Sequence, residues 1–187
     1  MEKPRKLPLH AISGTTFPIV QELPLHVCRG IGKVVSAHAV LETEVTNLLF
    51  DLAGIKYPIG RMSFRYQAAS ERFKLVKRLM SLHGLSAPQE LPINELLDQI
   101  TDCCNARDMF SHGVWVKTKE DRLALRLTKG EFKTEEGVID RTMLPQAMFV
   151  PSDYYEATRH VILITAQAVS RLREELIAEL KTRNAKS

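Results

Sequence analysis

The chain predicts a mainly α fold: a helical bundle of about four main helices, with a small antiparallel β-meander inserted before a long C-terminal helix. Three observations carry this. Apolar residues recur at three- and four-residue steps over four long segments, the mark of helices with one buried face. Between the third and fourth of these, from Val114 to Ile139, the period drops to two, which is strand behaviour. No strand–helix–strand alternation occurs, so a doubly wound parallel sheet is excluded. With 187 residues, 44% of them hydrophobic, the chain can bury one full core without a disulfide or metal staple.

The elements follow in order. Residues 1–24 hold Pro4, Pro8, Pro18 and Pro24 with little periodicity, and read as an extended proline-rich N-terminal arm, mobile or draped on a neighbour. Residues 25–182 form the helical domain. Its first helix is Leu25–Ala53, with Val27, Ile31, Val34, Val35, His38, Leu41, Val45, Leu48, Leu49 and Leu52 on one stripe and Gly54 as the stop. After a turn at Tyr57-Pro58, a second helix covers roughly Met62–Leu82, burying Phe64, Ala68, Phe73, Val76, Leu79 and Met80, and Gly84 ends it. Residues 86–92 read as a loop, and a third helix follows to His112.

Past Gly113, Val114-Trp115-Val116 and Leu123, Leu125, Leu127 alternate with polar neighbours, with turns at Glu120-Asp121 and Lys129-Gly130. Phe132 and Val138-Ile139 suggest a third short strand. This meander, about residues 114–139, is too small to stand alone. Asp153 and Glu156 then have the spacing of a capping box. The helix they open runs to about Lys181, roughly 28 residues or ~42 Å, with Val161, Ile164, Ala168, Leu172, Leu176 and Leu180 as its seam.

Composition narrows the function. The net charge of +4 and pI near 9.0 fit a nucleic-acid partner without requiring one. Between Arg61 and His83 the basic residues Arg61, Arg65, Arg72, Lys74, Lys77 and Arg78 outnumber the one acid, Glu71, although such a run is most often a solvated helix face. Cys28, Cys103 and Cys104 form no C-x-x-C, and the adjacent pair fits small buried apolar residues. That favours a reducing compartment. No apolar run is long enough to span a membrane, and prolines interrupt the basic start, so the expected location is the cytoplasm. Phosphate-binding loops, dinucleotide fingerprints, zinc-type Cys/His spacing and nucleophile elbows are missing from the sequence, so no cofactor or metal is implied.

The third helix holds the most informative residue. Its stripe runs Ile93, Leu96/Leu97, Ile100 and Cys103/Cys104, and the next position along it is Arg107, before Phe110. A charge on a core-facing position costs several kcal/mol unless it is paired or open to a ligand. Two readings stand: a structural ion pair with Glu42 or Glu44 of another helix, or an anion site. Five residues on, His112 precedes Gly113 at the helix end, either as a cap on the helix dipole or as a proton-transfer group. His38, on the apolar stripe of the first helix, fits a satisfied core histidine, with Arg107 as a possible companion in the same interior.

The segment Asn105-Ala106-Arg107-Asp108-Met109-Phe110-Ser111-His112-Gly113 resembles the HEPN superfamily (higher eukaryote and prokaryote nucleotide-binding domains). That family's mark is an Arg, then a polar Asn, Asp or His, then a His four to six residues beyond the Arg, near the end of a bundle helix. Arg107, Asp108 and His112 match these positions. The resemblance covers about residues 25–182, with the meander as an insertion. It implies a metal-independent endoribonuclease in which His112 is acid–base, Arg107 holds the scissile phosphate, and RNA supplies its own 2′-OH. It also implies a toxin–antitoxin or phage-defence setting, with an antitoxin protein as partner in the former. Other members are non-catalytic nucleotide-binding or protein-interaction modules.

Helix geometry adds a constraint. Residues five apart sit about 140° apart around the axis, so Arg107 and His112 do not share a face, whereas Asp108 and His112, four apart, do. A complete site would then need two copies of the motif in a homodimer, an arrangement HEPN nucleases resemble. A third reading is a small helical regulator whose long last helix binds a protein partner.

Overall fold

In the computed structural model the described residues are 11–13, 19–64, 67–86, 92–118, 122–126, 132–134, 137–139 and 146–185. They form β1 (Ala11–Ser13), α1 (Leu25–Ala53), α2 (Tyr57–Ser63), α3 (Ala69–Leu82), α4 (Ile93–His112), β2 (Val114–Lys117), β3 (Leu123–Arg126), β4 (Phe132–Thr134), β5 (Gly137–Ile139), β6 (Gln146–Met148) and α5 (Tyr154–Asn184). The protein is mainly helical, with a small antiparallel sheet ahead of a long C-terminal helix. It folds as two compact units. A helical unit comprises Val34–Arg107 and the chain from Thr158 onward; a sheet-containing unit comprises the chain up to Lys33 and Asp108–Ala157.

In the helical unit each main helix buries one stripe. On α1 this is Val34, Ala37, Leu41, Val45, Leu48 and Leu52; on α3 Ala69, Phe73, Val76 and Met80; on α4 Leu96, Ile100 and Cys103; on α5 Ile162, Ala166, Val169, Leu172 and Leu176. Polar contacts tie all four together. Arg72 Nη1 donates to Thr46 Oγ1 at 2.8 Å, Lys77 Nζ to Asn94 Oδ1 at 2.6 Å, and Arg173 Nε to Asp51 Oδ2 at 2.6 Å. Cys103 Sγ donates to Thr165 Oγ1 at 3.7 Å, and Arg183 Nη1 to the His83 carbonyl at 3.2 Å. Glycines stop α1 and α3 as the sequence predicts, both at φ 63°. The Ile55 N–H reaches back to the Phe50 carbonyl at 3.0 Å and the Leu85 N–H to that of Met80 at 2.8 Å, closing the left-handed C-terminal turns that glycine permits.

In the sheet-containing unit the strand order is β1-β6-β3-β2, all antiparallel. Val116, Ala124 and Ala147 are fully buried on one face, with Val114 and Phe149 packed against them. Alternation places Trp115, Leu125 and Met148, also buried, on the opposite face. Two ends of one chain segment cover both sheet edges. Ala11–Ser13 pairs with β6, while Ile19 bridges Val116 and the Val20 N–H donates to the Trp115 carbonyl at 2.9 Å.

The structure refines several expectations. The arm of residues 1–24 contains a strand, because three residues are too few to show a period; Pro4, Pro8 and Pro18 lie outside the described residues. The second helix is two helices: Met62 lies in the last turn of the short α2, which ends at Ser63, and α3 begins at Ala69 with Ala68 as its N-cap. The meander is β2 and β3 only, for β4 and β5 form a separate hairpin and the third strand is β6. The expected turns at Glu120-Asp121 and Lys129-Gly130 lie outside the described residues. On α5 Ala168, Leu172 and Leu176 are buried as the seam predicts, but near its start Ile162 is buried and Ile164 is 38% exposed.

Candidate functional site

Arg107 occupies the stripe position on α4 that the periodicity assigns to it. Its neighbours Cys103 and Ile100 on that stripe are buried, and its own side chain is 28% exposed. The charge is met from α1, where Glu42 places Oε1 at 3.8 Å from Arg107 Nη2. The same Oε1 lies 3.9 Å from Nδ1 of His38, one turn earlier on α1 and only 2% exposed. One carboxylate is thus shared between a buried imidazole and a half-buried guanidinium. Of the two acids expected opposite Arg107, the partner is Glu42. Pairs this open to water contribute about 1 kcal/mol or less.

Asp108 and His112 belong to the sheet-containing unit, where both are exposed. His112 is the last residue of α4, where the helix dipole favours a cation. Asp108 lies one turn before it on the same face. Between them Phe110 is 2% exposed and anchors the helix end, its ring centroid 5.8 Å from that of Tyr154 and 5.1 Å from that of Tyr155. Burial raises the phenol pKa of Tyr154; burial, with a smaller effect of Cys28, pushes that of Tyr155 up to about 12. Gly113 ends α4 for a reason of space. A Cβ there would collide with the Met109 carbonyl oxygen and with Leu125 Cδ1 of β3.

Arg107 and His112 therefore stand on one helix, about 140° apart around its axis by helical geometry. The basic run on α3 has local employment: Arg72 binds Thr46, Lys74 pairs with Glu71 at 2.6 Å, and Lys77 binds Asn94. Arg65 and the Arg61 side chain lie outside the described residues. Cys103 and Cys104 are buried and Cys28 is exposed, all as free thiols. Burial pushes the Cys103 thiol up to about 12, against a lowering hydrogen bond to Thr165, so it is no nucleophile at neutral pH. Among the described residues, no three His, Cys, Asp or Glu side chains are placed to hold a metal ion, and no helix is long and apolar enough to cross a membrane.

The sequence reading passed over Tyr154 and Tyr155, which brace Phe110. The available signal was a pair of aromatics in the first turn of a helix. Comparison with family models, with curated proteins and with solved structures returned no match. A functional reading therefore rests on the residues and on their resemblance to a known motif.

Proposed function

We propose that this protein is a metal-independent endoribonuclease of the HEPN type. The observation that carries the reading is Arg107: a half-buried charge on an otherwise apolar stripe, five residues from the end of a helix that finishes in an exposed histidine. A surface His112 is accessible to a polymeric substrate, and imidazole exchanges protons near neutral pH. The guanidinium of Arg107 suits the phosphoryl oxygens, whose charge grows in the transition state. Asp108, one turn from His112, orients the imidazole.

In the proposed step the RNA 2′-oxygen attacks the adjacent phosphorus and the bond from phosphorus to the 5′-oxygen breaks. His112 groups take the 2′-hydroxyl proton and return one to the leaving oxygen. The products are a 2′,3′-cyclic phosphate and a 5′-hydroxyl. Because Arg107 and His112 lie on different faces of α4, the complete site draws on two copies of the motif in a homodimer. A toxin–antitoxin or phage-defence setting, with an antitoxin protein as partner, belongs to the same reading.

A second reading is supported by the Arg107–Glu42 pair: a non-catalytic nucleotide-binding or protein-interaction module in which Arg107 braces the bundle. Product analysis separates the two. Single-stranded RNA incubated with the protein in EDTA should yield fragments ending in 2′,3′-cyclic phosphate or its 3′-phosphate hydrolysis product, because the attacking group is the RNA's own 2′-OH. Intact RNA, or fragments ending in 3′-hydroxyl, would reject the endoribonuclease reading.

A further inference from the structure

We propose that Glu42 is a positioning residue for Arg107, held in place by His38; the inference rests on the endoribonuclease reading above. Arg107 emerges from an apolar stripe of α4, and Glu42 of α1 meets its charge, with Oε1 3.8 Å from Nη2. The carboxylate is oriented in turn by His38, four residues earlier, 2% exposed and with Nδ1 3.9 Å from the same oxygen. A buried ring with little rotamer freedom thus stands against the carboxylate, and the carboxylate against the guanidinium, both beyond hydrogen-bond distance.

The distance sets the kind of hold. Charge-assisted hydrogen bonds between guanidinium and carboxylate lie at about 2.7–2.9 Å and are frequently bidentate. At 3.8 Å Glu42 acts on Arg107 by charge, without the paired short bonds that would clamp the fork. It offsets the guanidinium's desolvation and narrows the side chain's conformational freedom before substrate arrives. An incoming phosphodiester then meets a cation already in place. Pre-orientation of this sort acts on the chemical step, where a displacement of ~1 Å can cost a hundredfold.

The test is steady-state cleavage of a single-stranded RNA oligonucleotide in EDTA by wild type, Glu42→Gln and Glu42→Asp, each with its melting temperature. The expected result for Glu42→Gln is a kcat lower by about tenfold to a hundredfold, with KM little changed and near-native melting. Glu42→Asp, which keeps the charge on a shorter arm, should fall between the two. An unchanged or raised kcat in folded Glu42→Gln overturns the proposal. Should Glu42→Gln fail to fold, Glu42→Asp decides: an intermediate kcat at native melting temperature supports the inference and an unchanged kcat overturns it. Wild type that leaves RNA intact overturns the endoribonuclease reading together with this inference. Wild type that cuts RNA beside an unaffected Glu42→Gln overturns this inference alone.

Discussion

The Arg107 guanidinium of α4 meets the Glu42 carboxylate of α1 at 3.8 Å, with both side chains about one-third exposed. That geometry separates two accounts of an arginine on an apolar stripe. A fully buried pair would be costly to break, by roughly 3–5 kcal/mol, because a stranded charge remains. A pair this open to water contributes about 1 kcal/mol or less. The pair with Glu42 is thus a weak support for the fold.

Gly113 tests the end of the motif helix. A methyl group there would strike the Met109 carbonyl oxygen, which is backbone and cannot swing away, as well as Leu125 of β3. Gly113→Ala should destabilise the protein by about 1–3 kcal/mol, or roughly 2–4 °C of melting temperature per kcal/mol at this chain length. Differential scanning calorimetry checks this, and an unshifted transition would show that the helix end does not rest on β3.

Alkaline pH should weaken the fold through two buried groups. The Cys103 thiol is pushed from its ordinary 9.0 up to about 12, and the Tyr155 phenol from 10.0 up to about 12, in both cases chiefly by burial. A folded-state pKa above the unfolded one gives stability that is complete below the unfolded value and lost as pH rises through the folded one. The urea midpoint should therefore hold up to about pH 9 and fall between 9 and 12. Tyr155→Phe, which keeps the ring beside Gly30 and Phe110, should flatten the upper part of that fall. A midpoint level from pH 8 to 11 in wild type would contradict the burial of both groups.

The sheet edges make a third prediction. Ala11–Ser13 covers β6, and Ile19-Val20 covers β2. Deleting residues 1–20 would expose two rows of unpaired backbone groups, a template for edge-to-edge association. Size-exclusion chromatography should show the truncated protein as higher assemblies or aggregate. A truncated protein that elutes as wild type does would show that the edges need no cover.

The four long helices were legible because each buries a stripe long enough to establish a period, whereas the seven-residue α2 is too short to show one; Arg107 stood out because it broke such a stripe. The glycine stops at Gly54 and Gly84 were legible for their backbone freedom. Gly113 looked like another of these, yet a Cβ there would meet both the Met109 carbonyl oxygen and Leu125, and the contact with Leu125 is a tertiary fact that local sequence does not contain. The strands at 11–13 and 146–148 are three residues each, too short for alternation to register, and they pair with partners far away in the chain. Glu42 and Glu44 were equivalent as partners for Arg107 until α1 and α4 were placed side by side. The exposure of Asp108 and His112, against the burial of Phe110 between them, follows from which face of α4 meets Tyr154 and Tyr155.

The most direct test of the account is the rate at which Arg107→Ala cuts single-stranded RNA in EDTA, measured beside wild type and His112→Ala with melting temperatures on the same samples. The account predicts cleavage by wild type and a loss of about a hundredfold or more in each variant. It also predicts that Arg107→Ala melts within roughly 2–4 °C of wild type, the shift that about 1 kcal/mol produces. Unfolding of Arg107→Ala, together with RNA left intact by wild type, would contradict it and make the arginine a structural member of the bundle.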